Sequence, residues 1–385
     1  MSWKTTYNPF GPEPVDEKAA ELMKTVRPIH TPACSGIHQP NNQTTGCTHH
    51  AHHARVSKHP LYRPSIHGLP ATTGTHQQKP QEKTTTPTQA EGNGRTHVYL
   101  YTLPASQTNV AYKRLVTHHP DLAANAMMLV KEAMLLHRLQ HDHIVRVLGM
   151  VYEDATAGML TEYLEGTTLR TLLLEAMATV QRDRYTMRDG LRWCLDVAKA
   201  LAYCHDECGV LHRDVNPFNI VIVQSNNRAK LVDFGFHKIL STEKQQDSDN
   251  PSAFTSPVGA LMYMAPEVWR AQPYGRPADV FSFGCTMYEV LAGTIRSAAM
   301  FPDTATQKQL AGYAERVAGG KREKRPIGVG GEAVSVLVWG LVEACWAPDP
   351  AKRPSMRGVV QVLEQVLREG REDDAQQTSA WCLVQ

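Results

Sequence analysis

Apolar positions divide the chain into stretches of different periodicity. Between 91 and 164 they fall in short β-like runs, HVYLYTL, NVAYKRLV, HIVRVLGMVY and GMLTEYL, interrupted by one longer helical stretch, DLAANAMMLVKEAMLLHRLQ. Strands around one helix predict a small, sheet-rich lobe. After EGTT the spacing lengthens, and in GLRWCLDVAKALAYCH the residues Leu191, Cys194, Val197, Leu201 and Cys204 recur every three to four positions. That spacing predicts a helix with one buried face. Further helices are predicted at 278–292, 333–346 and 355–368, so 165–368 reads as a second, mainly helical lobe, and 369–385 as a polar tail.

Residues 1–90 show no sustained apolar period and are rich in His, Thr, Pro and Gln, which predicts a disordered tail. The cluster Cys34, Cys47, His49, His50, His52 and His53 lacks the spacing of a common zinc finger, and low complexity is the simpler reading. The chain of 385 residues is 42% hydrophobic, enough to bury a sizeable core. Its 40 basic and 38 acidic residues give no basic surplus of the kind that nucleic-acid binding needs, so no nucleic-acid partner is expected. Eight cysteines are scattered rather than framed as disulfides, which points to a reducing compartment and a cytoplasmic protein. The start, MSWKTTYNPF, lacks a basic segment followed by an apolar one, so no secretory signal is expected. No run of apolar residues is long enough to predict a membrane-spanning helix.

Two strings carry candidate chemistry. HRDVNPFN sets the carboxylate Asp214 five residues before the amide Asn219, after a buried helix and ahead of the apolar run IVIV. LVDFG sets a second carboxylate, Asp233, after an apolar pair, with Gly235 permitting an abrupt backbone turn. Acidic and amide oxygens of this kind suit a hard cation and proton handling.

These strings stand in an order that resembles the protein kinase family, with greatest similarity to the tyrosine-kinase-like group of serine/threonine kinases that includes Raf and mixed-lineage kinases. The landmarks are VAYK ending at Lys113, Glu132 in the next helix, TEYL at 161–164, HRDVNPFN, DFG at 233–235 and APE at 265–267. ADVFSFG with Asp279, and CWAPDPAKRPSM with Arg353, complete the series. The resemblance implies an α+β, two-lobed fold over 91–368, with a five-stranded sheet and one helix above a helical lobe. It implies an ATP-dependent protein kinase that acts on a protein hydroxyl, of serine or threonine, with ATP and Mg2+ as cofactors. On that reading Lys113, oriented by Glu132, grips phosphate; Asp214 handles the acceptor proton; Asn219 and Asp233 hold magnesium. Val98, Ala111, Leu164 and Val221 would form the adenine slot, with Thr161 as gatekeeper and Glu162 beside it, although Val221 reads equally as ordinary core.

The sequence also departs from the family pattern. GNGRTHVY supplies Gly92 and Gly94 for the phosphate-covering loop but no third glycine, Asn216 replaces the usual lysine after the catalytic Asp, and Ala260 replaces a threonine before APE. These departures keep open a second function class, a pseudokinase serving as a nucleotide-binding or scaffolding module. Arg213 would need an anion, and phosphorylation of Thr255 or Ser256, near Ser252, would supply one. The terminal Cys382, Leu383, Val384 and Gln385 form a C-a-a-X sequence, from which a farnesyl group on Cys382 and weak membrane association are expected.

Overall fold

The computed structural model describes residues 6–7, 96–103, 106–115, 122–153, 156–179, 184–240, 260–301 and 306–382. Strands β2 (Thr96–Thr102), β3 (Asn109–Leu115), β4 (Val147–Glu153) and β5 (Thr156–Glu162) coincide with the four predicted β runs. They pair antiparallel, and the two-residue strand β1 (Thr6–Tyr7) adds to the β4 edge, giving the order β1-β4-β5-β3-β2. The fifth strand therefore comes from within the stretch expected to be a structureless tail, because Thr6 and Tyr7 find register with Val151 and Met150. Helix α1 (Leu122–Arg138) packs on the sheet through Leu129, Ala133, Leu135 and Leu136, all buried.

Alternation along β3 sorts its side chains. Val110 and Tyr112 are buried with Val151 and Leu160 in a small cluster on one face. Ala111 and Lys113 take the opposite face, toward the second lobe. Register sets Val98 opposite Lys113, and Thr161 opposite Ala111, so these four share that face.

The second lobe begins with β6 (Gly166–Thr168), α2 (Leu169–Ala178) and α3 (Met187–Asp206). Thr186 and Asp189 close a reciprocal capping box at the start of α3. All five residues of its predicted apolar stripe are buried. Then follow β7 (Val210–Leu211), the hairpin β8 (Ile220–Val223) and β9 (Arg228–Leu231), and β10 (Lys238–Ile239), which pairs with β7. The remaining helices are α4 (Pro266–Trp269), α5 (Arg276–Ala292), α6 (Arg296–Met300), α7 (Gln307–Ala318), α8 (Val336–Cys345) and α9 (Met356–Cys382). Helix α9 runs on through the residues expected to be a polar tail. Their Glu, Arg, Ala and Gln are strong helix formers, so polarity there does not end the helix.

Helix α5 is buried nearly all round, from Ala278 to Ala292. It meets α8 closely: a Cβ at Gly284 would lie 2.7 Å from Cys345 Cβ. Behind the cleft the lobes are tied by backbone. Val145 donates to the Leu231 carbonyl at 3.0 Å and Leu231 donates to that of His143 at 2.8 Å. The Glu162 carboxylate adds a second tie, accepting from Arg146 N at 2.9 Å and Lys230 Nζ at 2.6 Å.

Candidate active site

Lys113, on the cleft face of β3, meets two carboxylates. Its ammonium donates to both oxygens of Glu132 at 2.9 Å and to Asp233 Oδ1 at 2.8 Å. Glu132 is buried in α1, whereas Asp233 keeps 35% of its side chain exposed. Burial alone would lower the lysine's pKa, but the two carboxylates outweigh it and hold Lys113 firmly protonated. Loss of water pushes Glu132 up to about 7 against the pull of Lys113. Its two bonds to the ammonium need an ionised carboxylate, so the ion pair is the state we assign, with Glu132 its more readily neutralised member.

Asp233 has φ 57°, a left-handed conformation uncommon for a side chain with a Cβ, and the following turn fixes it. Gly235 N donates to Asp233 Oδ1 at 3.1 Å, and a Cβ at Gly235 would stand 3.0 Å from that oxygen. The glycine makes room for the carboxylate. Phe234, fully buried, packs its ring 4.5 Å from that of His212.

The loop between β7 and β8 centres on Asp214. Asn216 Nδ2 donates to its Oδ1 at 2.8 Å and Asn219 Nδ2 to its Oδ2 at 2.7 Å. Asn216 also accepts from Phe218 N at 2.9 Å, capping the turn Pro217–Asn219. Burial, with the nearby Asp233 charge, raises Asp214 to about 7, while the two amides act to lower it. A carboxyl poised there suits proton handling at neutral pH.

Asp279, buried at the start of α5, holds the loop from beneath. It accepts from His212 N at 2.9 Å and Arg213 N at 2.7 Å, and His205 Nε2 lies 2.8 Å away. Desolvation favours its neutral form, but the His205 contact and these donors hold its pKa below the usual carboxylate value. Arg213 itself takes φ 71°, and its guanidinium lies 5.5 Å above the Tyr274 ring. Sequence reasoning noted Asp279 only as a landmark. Its position in a largely apolar helix was the one available signal, since an unpaired buried carboxylate would be costly.

Hairpin β8–β9 brings the two candidate metal residues together. Val232 N donates to the Asn219 carbonyl at 2.9 Å, so Asn219, just before β8, lies alongside the residue preceding Asp233. With Nδ2 committed to Asp214, the Asn219 amide offers Oδ1 as its ligand atom, and Asp233 offers a part-exposed carboxylate. Two such hard oxygen donors fit a magnesium ion.

Of the expected adenine-slot residues, Val98, Ala111 and Thr161 share one sheet face, Leu164 is partly buried just beyond β5, and Val221 lies in β8 of the other lobe. Glu162 N is bonded to the Arg146 carbonyl at 2.9 Å, and its own carbonyl accepts from Thr161 Oγ1 at 3.3 Å. Gly92, Gly94, Ser252, Thr255, Ser256, Leu383–Gln385 and the Cys/His cluster at 34–53 lie outside the described residues. No helix among the described residues is long and apolar enough to cross a membrane.

The model of the protein kinase domain matches residues 90–364. The chain belongs to the protein kinase family. Among curated proteins it is 32% identical over 264 residues to serine/threonine-protein kinase VIK of Arabidopsis thaliana, covering 67% of this chain and 55% of that protein. It is 32% identical to serine/threonine-protein kinase 12 of the same plant, over 61% of this chain and 47% of the relative. Identity to the Arabidopsis serine/threonine/tyrosine-protein kinase HT1 is 29%, over 70% and 63% respectively. The chain thus spans about half to two thirds of the length of these relatives.

Proposed function

We propose that the chain is an ATP-dependent protein kinase that phosphorylates serine or threonine hydroxyls. The observation that carries this reading is the three-way contact in which Lys113 Nζ meets both Glu132 and Asp233, 120 residues apart from Lys113 in the second case. A buried lysine held protonated at the cleft face is suited to grip phosphate oxygens. Asp214, fixed by two amides, accepts or orients the proton of the attacking hydroxyl. Asn219 and Asp233 would hold magnesium, which when bound neutralises charge on the phosphate oxygens. Val98, Ala111, Leu164 and Val221 would supply apolar walls for the base, with Thr161 beside them as gatekeeper.

Preservation and assembly of Lys113, Glu132, Asp214, Asn219 and Asp233 favour catalysis over a pseudokinase role. Choice of serine or threonine is supported by the names of the relatives. The test is transfer of labelled γ-phosphate to a generic protein substrate followed by phosphoamino-acid analysis. Phosphoserine or phosphothreonine supports the proposal; phosphotyrosine alone overturns the assigned specificity, and no transfer overturns the activity.

A further inference from the structure

Arg170 lies in the first turn of α2, and its guanidinium stands 4.5 Å over the ring of Phe218. That ring belongs to the loop built round Asp214. Phe218 N is tied to Asn216 Oδ1 at 2.9 Å, and the next residue, Asn219, donates to Asp214 Oδ2 at 2.7 Å. The two amides that brace the candidate base therefore also hold the platform on which the arginine rests.

The charge on that platform is unmatched. Arg170 Nε is shut off from solvent without a hydrogen-bond partner, and among the described residues no carboxylate pairs with the guanidinium. Nearby acids are engaged elsewhere: Glu175 of the same helix meets Arg184 at 2.6 Å, and both oxygens of Asp214 take the amides of Asn216 and Asn219. The ring face of Phe218 is a weaker partner than the oxygen that a guanidinium N–H ordinarily finds. Arg170 is part-buried, so water does not make good the whole loss. Its place adds to the cost, because the first turn of a helix carries positive partial charge and disfavours a cation.

A fixed, unmatched guanidinium beside the loop that handles the acceptor proton favours negative charge in whatever chain is presented there, and its planar fork of donors suits a carboxylate. A serine or threonine brought to Asp214 carries its neighbours across the same loop. An extended chain advances about 3.3 Å per residue, so side chains some two or three positions from the acceptor come within reach of Arg170. We propose that Arg170, held on the Phe218 ring, is a specificity-determining residue that selects protein substrates with an aspartate or glutamate close to the phosphorylated serine or threonine. The inference rests on the kinase reading above and adds to it the chemical class of substrate.

The test is initial-rate phosphorylation, by the full chain, of peptides with a single serine in an alanine and glycine background, with aspartate scanned through the positions on either side of it. The expected result is a position near the acceptor at which aspartate raises kcat/KM at least about fivefold over alanine, and lysine lowers it. This ratio is taken within each protein, so a general loss of rate or stability cancels. It should fall to near one in Arg170→Gln, stay raised in Arg170→Lys and reverse in favour of lysine in Arg170→Glu. If the glutamate variant fails to fold, the glutamine and lysine variants decide. A ratio near one at every position in the parent, or an undiminished ratio in folded Arg170→Gln, overturns the proposal and leaves the kinase activity standing. No transfer to any peptide overturns both.

Discussion

Asn216 donates its side-chain amide to Oδ1 of Asp214 at 2.8 Å, the oxygen opposite the one that Asn219 reaches. Asn216, which departs from the lysine expected of the family pattern, is therefore a brace for the candidate base as well as the cap of the following turn. Replacing Asn216 with Ala removes one charge-assisted bond. A loss of about tenfold in kcat is expected, with KM for ATP little changed, since such bonds contribute roughly 1.5–3 kcal/mol. Steady-state kinetics showing an unchanged kcat would contradict that role.

Asp214 has to be ionised to take a proton, and its pKa is raised to about 7 by burial and by Asp233. Activity should therefore climb as pH rises through about 7 and level off above it. Asn216→Ala deletes a bond that favours the charged form and should move this limb upward. A profile flat between about pH 6 and 8 for both proteins would rule the assignment out.

The same shifts set a stability trend. Folded Asp214 keeps a proton up to about 7 that an unfolded chain releases near 3.8, and burial pushes the Glu132 carboxyl in the same direction. The folded state thus binds more protons in that window, and these two groups make stability fall as pH rises from about 4 to 7. Asp233 and Asp279 act oppositely, because their pKa values are lowered, but their contribution is lost only as pH falls below about 4. Urea midpoints measured at several pH values should show a decline toward neutrality that is smaller in Glu132→Gln.

Arg353 and Glu267 form a fork of two parallel bonds, 2.7 and 2.8 Å, with both side chains almost wholly buried. Arg353→Ala leaves the carboxylate buried without its partner. The expected loss is about 3–5 kcal/mol in denaturant unfolding. Arg353→Lys keeps the charge but not the fork and should fall between. A stability within error of the parent for the alanine variant would show that the pair is not what anchors this segment.

At the contact of α5 with α8, Gly284→Ala would force a methyl to 2.7 Å from Cys345 Cβ and 3.2 Å from Trp346 N. Helix propensity favours the alanine, yet the overpacking should dominate and cost about 1–3 kcal/mol. A raised melting temperature would mean that the two helices can separate at little cost.

Much of this architecture was legible in the order of residues. Short apolar runs marked β2 to β5, and a stripe at Leu191, Cys194, Val197, Leu201 and Cys204 marked α3, because that stripe is a face the fold buries. Lys113 and Glu132 were singled out by motif, and the structure brings them into contact across 19 positions. Other features have no local signature. Pairing of Thr6–Tyr7 with Val151 and Met150 spans most of the first lobe and involves two residues with no period to read. The clamp by Asp279 is similar: its partners are backbone amides 66 and 67 positions away, invisible to any motif that records side chains.

The central claim is that Asp214 serves phosphoryl transfer in a cleft assembled by Lys113, Glu132 and Asp233. Single-turnover transfer of labelled γ-phosphate from ATP to a protein substrate, compared between the parent chain and Asp214→Asn, addresses it most directly. The account predicts a rate at least about 100-fold lower in the variant, the usual scale for loss of a proton-handling group, with ATP binding retained. Equal rates from the two proteins would contradict it.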